Sequence, residues 1–319
     1  MPQLLLILIA ALMVSGVAPV LACSGKLGVS RTITIDTTGG PLYGNLQYKT
    51  ESLLEDGEVI ITFDDGPLST NTRKVLAALR DHCTKATFFM VGRMAVANPG
   101  IVREVANEGH TIASHTWSHK NLKRMGANDG KGEIELGIST IQHALGKPIA
   151  PFFRFPYLAD SKALIEYSQQ RNIAVFSIDV DAYDYRTRSG DSVRRAVLRQ
   201  LKSRKKGIIL LHDIQISVVR GIQPLLDELH DRGYKVVHLQ AATGVETIEA
   251  FDQQAEELHK NRRYAQSIRP VRGGGQKTAP NTKTDRNANV LAQTDSPAPK
   301  PASRSDWMGQ VFKNPMLEN

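Results

Sequence analysis

The sequence predicts an α/β protein built on a parallel sheet. Short apolar runs that read as buried strands alternate with longer segments whose apolar residues recur at helical spacing. This alternation repeats about seven times between residues 55 and 251, and reactive polar motifs follow several of the strands. Seven such units could close into a barrel or form an open doubly wound sheet, and periodicity alone does not separate the two.

The elements follow from local patterns. RTITI at 31–35 alternates apolar and polar residues and is followed by the turn signal Gly39-Gly40-Pro41, which predicts a short strand or hairpin. Apolar runs predict the later strands, at 59–63, 86–91, 110–113, 152–155, 174–178, 207–211 and 235–239. Helical spacing of apolar residues predicts helices at 69–82, 97–108, 131–145, 160–171, 191–204 and 219–231.

Composition excludes some classes of protein. The chain has 319 residues, 41% of them hydrophobic, which is ordinary for a soluble globular protein. Its formal net charge is +8, but the basic residues are scattered and no nucleic-acid-binding motif occurs. The sequence therefore predicts no nucleic-acid partner.

The N-terminal residues predict export. An apolar run at 3–22 ends in small residues, which favours a cleaved signal peptide, although the absence of Lys or Arg before it leaves an uncleaved anchor open. Cys23 directly follows this run and could carry a lipid. A disulfide with Cys83 is compatible with an exported protein, but a free, buried Cys83 is the simpler expectation.

Five motifs stand at or just after the ends of predicted strands: TFDDGP at 62–67, HTWSH at 115–119, RFPY at 154–157, DAYDY at 181–185 and LLHD at 210–213. In a parallel α/β fold the carboxyl ends of the strands share one face, where active sites form. Residues far apart in sequence are therefore expected to meet in one pocket.

Three of these residues have the character of metal ligands. His115 and His119 are four apart and would share one face if their segment were helical, and Asp65 adds a carboxylate from another strand end. Two imidazoles and a carboxylate suit zinc with an open position for water. Asp64 and Asp65 would repel each other unless a cation lay between them, and Gly66-Pro67 supplies the tight turn.

The remaining polar residues suit acid–base chemistry. A metal lowers the pKa of bound water toward ~7, so that this water can act as nucleophile with Asp64 as the base. Arg154 is placed to pair with Asp64, and His212 to protonate the leaving nitrogen while Asp184 holds its ring.

Leu211 and Tyr185 are expected to wall a small pocket. The backbone N–H near Tyr157 is expected to stabilise an oxyanion. Together the motifs indicate amide or ester hydrolysis through a tetrahedral intermediate.

The five motifs, in this order, resemble the polysaccharide deacetylases of carbohydrate esterase family 4, the NodB-homology group. That family includes chitin, chitooligosaccharide and peptidoglycan N-deacetylases and acetylxylan esterases. The resemblance covers about residues 55–240. It implies a distorted (β/α) barrel, the roles given above, and one divalent ion, Zn²⁺ before Co²⁺ or Mn²⁺. The sequence departs from the family pattern at Tyr185, where Trp is usual, and at Leu158, where Gly is usual, which leaves the choice of substrate open.

The resemblance implies a function and a domain organisation. We expect a metal-dependent N-deacetylase of N-acetylglucosamine-containing glycans that is exported to the periplasm, to the cell envelope or out of the cell. An O-deacetylase of xylan type remains an alternative, and so does an inactive carbohydrate- or wall-binding protein, although the intact motifs argue against the latter. The predicted parts are a signal peptide at 1–22, an N-terminal extension with a short hairpin at 23–54, a single catalytic domain at 55–251 and a polar, largely disordered tail at 252–319.

Overall fold

The computed structural model of the chain describes residues 23–267, so the predicted signal peptide and the part of the predicted tail after residue 267 lie outside it. The strands are β1 Arg31–Ile35, β2 Leu42–Tyr43, β3 Glu58–Asp64, β4 Thr87–Met90, β5 Thr111–Ser114, β6 Phe152–Phe153, β7 Ala174–Phe176, β8 Val180–Asp181, β9 Gly207–His212 and β10 Lys235–Ala241. The helices are α1 Ser69–Asp81, α2 Gly92–Ala97, α3 Pro99–Asn107, α4 Ala127–Leu145, α5 Lys162–Gln170, α6 Gly190–Arg204, α7 Ile216–Asp231 and α8 Glu249–Ser267.

All strand pairs in this part of the chain are parallel, as the alternation of strands and helices predicts. β3 pairs with β9 from Val59 to Asp64 and with β4 on its other side, and the sheet continues through β5, β6 and β7 to β2. On the opposite side β9 pairs with β8. The short link 177–179 joins β7, on one side of the sheet, to β8 on the other side. These two strands therefore follow each other along the chain. The fold is a single distorted (β/α) barrel, and the open doubly wound alternative is wrong.

Strand residues divide between two apolar layers. In β3, Val59, Ile61 and Phe63 pack among the helices, whereas Ile60 belongs to a second cluster inside the barrel with residues such as Phe89. This alternation follows from the two-residue period of a strand. It places the side chains of alternate residues at the end of each strand over the barrel interior, where a site can form.

The predicted helices and strands occur within a few residues of the expected bounds. α4, for example, ends at Gly146 in the left-handed conformation (φ 82°), the usual helix stop. The sequence analysis does not predict α2 or β8, which have six and two residues. Elements this short carry too few apolar positions to show a period.

The predicted N-terminal hairpin is wrong. β1 pairs with β10 over Arg31–Ile35, and β2 pairs with β7 through Leu42 and Tyr43, both in parallel. The Gly39-Gly40 turn therefore does not fold one strand onto the other. Instead it carries the chain from one part of the barrel to another, a distinction that alternation within a single strand cannot reveal.

The expectation of a free Cys83 is also wrong. Cys23 and Cys83 form a disulfide across a sequence separation of 60 residues. It links the start of the N-terminal segment to the residues that follow α1. A sulfur atom held in a disulfide cannot also carry a thioether-linked lipid, so the disulfide and the lipid left open at Cys23 exclude each other.

The predicted boundary of the polar tail, residue 252, falls inside α8. This helix packs on α4 and buries Ala255 and His259, so residues 252–267 belong to the folded part of the chain. The surface of α8 that contacts α4 has a small residue and an imidazole in place of large apolar side chains, so the sequence pattern did not indicate it.

None of the helices described between residues 23 and 267 combines the length and the apolar content that a membrane crossing requires.

Candidate active site

The five motifs converge at the carboxyl ends of the strands. Asp64, at the end of β3, is the register partner of His212 at the end of β9. His115 follows β5, Arg154 follows β6, and Asp184 begins a 3₁₀ turn shortly after β8. The parallel sheet thus gathers residues from sequence positions 64 to 212 on one rim.

Asp65, His115 and His119 form one cluster, with ligand atoms all within 4.8 Å of one another. The Oδ1 atom of Asp65 lies 3.0 Å from Nε2 of His119 and 3.6 Å from Nε2 of His115. The second ring nitrogen of His115, Nδ1, lies 2.7 Å from the carbonyl oxygen of Arg154, a contact that fixes which nitrogen faces the cluster.

The histidine segment is a loop and not a helix. Thr116 and His119 both have positive φ, 71° and 62°, and the Oγ1 atom of Thr116 accepts a hydrogen bond from the backbone N–H of His119. Asp65 is also left-handed, with φ 75°. Such backbone costs free energy in non-glycine residues and persists where the surroundings enforce it, often at functional sites.

The chemistry of the cluster fits a divalent metal ion. Oδ1 of Asp65 is buried and makes no hydrogen bond within the described residues. Burial lowers the pKa of His115 to about 4, which keeps its Nε2 lone pair available as a ligand. Burial opposes ionisation of Asp65, but the neighbouring histidines, His119 foremost, hold the pKa of its carboxyl below the ordinary value.

Arg154 holds Asp64 beside this cluster. Its Nη1 atom donates to Oδ1 of Asp64 over 2.7 Å and to Oγ1 of Thr62 over 2.8 Å. Its Nε and Nη2 atoms donate to the carbonyl oxygens of Phe176 and Ser177, each over 3.2 Å. Arg154 is completely buried. Because all these bonds cross the barrel interior, the guanidinium fixes the position of the Asp64 carboxylate and leaves its other oxygen, Oδ2, 3.8 Å from His115.

His212 and Asp184 form a second pair on the same rim. Nδ1 of His212 lies 2.8 Å from Oδ1 of Asp184, and the backbone N–H of His212 donates to Oδ2 of Asp184 over 2.7 Å. Burial by itself would lower the pKa of His212, but the buried carboxylate of Asp184 outweighs it and raises that pKa to about 10. His212 is therefore held protonated at neutral pH.

Two aromatic residues border the site. Tyr157 has φ 60° and ψ 13°, and its ring contacts that of His119 edge-on with centroids 4.7 Å apart. The ring of Tyr185 lies 5.8 Å from that of His212, and its hydroxyl donates to Asp181 over 3.2 Å. Both aromatic rings therefore lie beside histidines of the candidate site.

The predicted position of Leu211 is wrong. Its side chain belongs to the apolar cluster between the sheet and the helices. The two-residue period of β9 puts Leu210, and not Leu211, on the same face as His212. Leu211 is next to His212 in the sequence, but in a strand the side chains two residues apart share a face.

Asp213 and Thr62 also support the site but were not predicted as site residues. Asp213 is buried, its Oδ2 atom accepts a hydrogen bond from Thr72, and a Cβ atom on Gly66 would collide with both of its carboxylate oxygens. Burial raises the pKa of Asp213 to about 7. The available signal for Thr62 was that it is a polar residue in an apolar strand, two positions before Asp64.

A barrel of parallel strands with an Asp-His-His cluster beside a buried Arg–Asp pair and a His–Asp pair defines a class of α/β proteins with a candidate metal centre. Comparison with known proteins makes the class specific. The profile of the family described as polysaccharide deacetylase matches residues 53–176. A chitooligosaccharide deacetylase of Sinorhizobium fredii is 31% identical over 189 residues, which cover 55% of this chain and 87% of the relative. The chain belongs to the polysaccharide deacetylase family.

Other relatives are longer than the matched region. A peptidoglycan-N-acetylglucosamine deacetylase of Bacillus cereus is 33% identical over 172 residues, which cover 54% of this chain and 62% of the relative. The matching region covers 39% of a Listeria monocytogenes protein of the same name. Among solved structures, a peptidoglycan deacetylase of Bdellovibrio bacteriovorus superposes with a TM-score of 0.61 at 31% identity, over 67% of this chain and 59% of that one.

Proposed function

We propose that this protein is a metal-dependent N-deacetylase that releases acetate from N-acetylglucosamine units of glycans of the peptidoglycan or chitooligosaccharide type. The observation that carries the proposal is the placement of the Asp65-His115-His119 cluster between two buried charged pairs, Asp64–Arg154 and His212–Asp184. Relatives named as peptidoglycan and chitooligosaccharide deacetylases support the substrate class.

Asp65, His115 and His119 would hold one divalent ion, and their mixed oxygen and nitrogen donors favour Zn²⁺. Such an ion acts as a Lewis acid that polarises a carbonyl group and acidifies water. Co²⁺ and Mn²⁺ are the alternatives that the same ligands accept.

Asp64 acts as the general base. Arg154 binds Oδ1 of this carboxylate and leaves Oδ2 facing the metal ligands, so that Oδ2 can take a proton from the attacking water. Asp64 is the register partner of His212 in the pairing of β3 with β9, and the substrate carbonyl is expected to lie between the two side chains.

His212 acts as the general acid. It is held protonated by Asp184 and can deliver its proton to the nitrogen of the amide as the C–N bond breaks. The N–H of Tyr157 is expected to stabilise the developing oxyanion. Leu210 and Tyr185 are expected to wall the space for the acetyl methyl group.

Export of the protein is part of the proposal. The Cys23–Cys83 disulfide is a bond that persists in oxidising compartments, outside the cytosol. Cell-wall glycans lie in the same compartments. We therefore place the enzyme in the cell envelope or its surroundings, after removal of residues 1–22.

Acetate release tests the proposal. The variant lacking residues 1–22, loaded with Zn²⁺, is assayed on N-acetylglucosamine oligomers, peptidoglycan and acetylated xylan, with Asp64→Asn as the matched variant. We expect release from an N-acetylated substrate, its loss with a chelator and its restoration by Zn²⁺. Asp64→Asn should bind the metal normally yet lose at least about 10²-fold in kcat, the lower end of a general-base contribution.

Other results would redirect the assignment. Release from xylan alone would make the protein an O-deacetylase. Bound metal without release from any of the three would contradict the substrate class, and failure to bind metal would favour an inactive glycan-binding protein.

A further inference from the structure

The N-terminal segment at residues 23–50 lies outside the region matched by the family profile, which begins at residue 53, yet it reaches the candidate site. Its strand β2 extends the sheet beside β7. Beyond β2 the backbone N–H of Leu46 donates to the carbonyl of Ile178 over 3.0 Å, and that of Asn45 to the carboxylate of Asp179 over 2.7 Å. The segment therefore follows the link 177–179 that closes the barrel.

Gln47 is the residue of this segment that contacts the site loop. Its Nε2 atom donates to the carbonyl oxygen of Leu158 over 2.7 Å, and it lies 3.4 Å from Oδ2 of Asp160. Its Oε1 atom accepts a hydrogen bond from the hydroxyl of Ser177 over 2.7 Å. Both ends of one carboxamide are thus used to join the loop after β6 to the end of β7.

The loop that Gln47 contacts has a costly backbone. Tyr157 and Leu158 are consecutive non-glycine residues with positive φ, 60° and 52°. Each such conformation costs on the order of 1 kcal/mol or more unless neighbouring groups enforce it. Within this turn the N–H of Leu158 is bonded to Phe155, so the carbonyl of Leu158 is a separate point at which the loop can be held.

A second contact of Gln47 leads toward the base. Ser177, whose hydroxyl donates to Gln47, also accepts a hydrogen bond through its carbonyl from Nη2 of Arg154. Arg154 in turn holds Asp64. One side chain outside the five motifs therefore contacts both the loop that carries Tyr157 and the residue that anchors the arginine.

Tyr48, next to Gln47 in the sequence, also contacts the loop that follows β6. The hydroxyl of Tyr48 donates to Oδ2 of Asp160 over 2.8 Å, and Tyr48 is only 9% exposed. Gln47 is therefore fixed between a buried anchor and the sheet, which is the arrangement that a support residue requires.

We propose that Gln47 is a positioning residue that keeps the Tyr157–Leu158 turn in the conformation that presents the Tyr157 N–H to the reacting carbonyl. The inference rests on the proposed function for its catalytic consequence. It assigns to the N-terminal segment a part in catalysis that the five motifs do not contain.

The test compares Gln47→Ala, Gln47→Glu and the neighbouring control Leu46→Ala, whose side chain is 52% exposed. Kinetics are measured on the substrate found active for the wild type. We expect Gln47→Ala to lose about 10-fold in kcat with KM within about 2-fold, because a displaced oxyanion donor acts mainly in the transition state. Zn²⁺ content should stay unchanged, and Leu46→Ala should match the wild type.

Gln47→Glu should give a pH dependence of kcat that general destabilisation would not produce. An ionised Glu cannot donate to the carbonyl of Leu158, whereas its protonated form can, and it can still accept from Ser177. The ratio of its kcat to that of the wild type should therefore rise as the pH falls from 8 toward 5. A ratio independent of pH would contradict the role of this donor.

Hydrogen exchange separates this inference from the proposed function. Amide exchange in the peptide covering 155–161 should be faster in Gln47→Ala than in Leu46→Ala, whether or not any substrate is turned over. Unchanged exchange there would overturn the inference, as would a lower melting temperature with unchanged kcat or a rise in KM alone. An inactive wild type with the expected change in exchange would contradict only the proposed function.

Discussion

The buried guanidinium of Arg154 fixes the geometry of Asp64, the proposed base. It replaces its water shell by bonds to Asp64, Thr62 and two carbonyl groups, and its plane lies over the ring of Phe89 at 4.2 Å. Arg suits this place because its planar fork donates in several fixed directions, which Lys cannot do.

We predict that Arg154→Met costs about 3–5 kcal/mol of unfolding free energy, since it leaves the carboxylate of Asp64 buried without a partner. The double variant Arg154→Met/Asp64→Asn should recover most of this loss because the unpaired charge is gone. Urea denaturation measures both. Equal stability of the single and double variants would show that Asp64 does not carry a buried charge.

Asp184 controls the protonation of His212, and a general acid loses activity as the pH rises through its pKa. In Asp184→Asn the charge that raises the pKa of His212 is absent, and burial then favours the neutral ring. We predict that the alkaline limb of kcat/KM moves down by one to three pH units, about the effect of one nearby charge.

The matched control for that prediction is Asp231→Asn, because Asp231 is exposed, contacts His230 and lies at the last residue of α7, the end of the helix farther along the chain from the LLHD motif. Its profile should equal that of the wild type. An alkaline limb that stays in place in Asp184→Asn would remove His212 from the role of acid.

The sequence pointed to these residues because each is a reactive side chain at or shortly after the end of a strand, and the structure gathers them on one rim. Sequence reasoning failed where it needed to know which face of a strand a side chain lies on. Leu211 and Leu210 are the same residue type, and only the register of β9 against β3 shows which one faces the site. Gln47 and Asp213 act through contacts with residues more than a hundred positions away, which no local pattern contains.

At the scale of elements, the disulfide ties the N-terminal segment to the region after α1. A cross-link over a separation of 60 residues stabilises by about 4 kcal/mol if it acts by restricting the unfolded chain. We predict that Cys23→Ser/Cys83→Ser lowers the unfolding free energy by about this amount while the zinc stoichiometry is unchanged. Reduction of the wild type should reproduce the loss, and a reductant should not affect the double variant.

The elements themselves were predictable in proportion to their length. Helices such as α1 and α6 show their period over 13 and 15 residues, and their bounds agree with expectation within two residues. α8 has 19 residues, but its buried face contains Ala255 and His259, so its contact with α4 did not stand out from a polar sequence.

At the scale of the whole molecule, stability should depend on pH through two buried histidines, His110 just before β5 and His238 in β10. Burial lowers the pKa of His110 to about 3 and that of His238 to about 4. The folded protein therefore keeps both rings neutral, while the unfolded chain takes up protons below about pH 6.5. Stability from these groups is present above that pH and is lost as the pH falls below it.

We predict a loss of about 2 kcal/mol per histidine between pH 6.5 and 5, on top of changes from other groups. His238→Gln, which keeps a partner for Thr111, should lower this pH dependence by about half. The control is His230→Gln, at an exposed position on α7. Urea midpoints at the two pH values measure the effect, and equal pH dependence of all three proteins would contradict it.

The pairing of β1 with β10 also has a consequence for biogenesis. The hydroxyl of Ser30 bonds to the carbonyl of Val236, a partner 206 positions later in the chain. A chain that emerges from its N-terminus must therefore hold its first strand unpaired until almost the whole barrel has been delivered. The segment that carries Gln47 docks beside β7 only once that strand has emerged. On the export proposed above, activity would thus begin only in molecules whose delivery across the membrane is nearly complete.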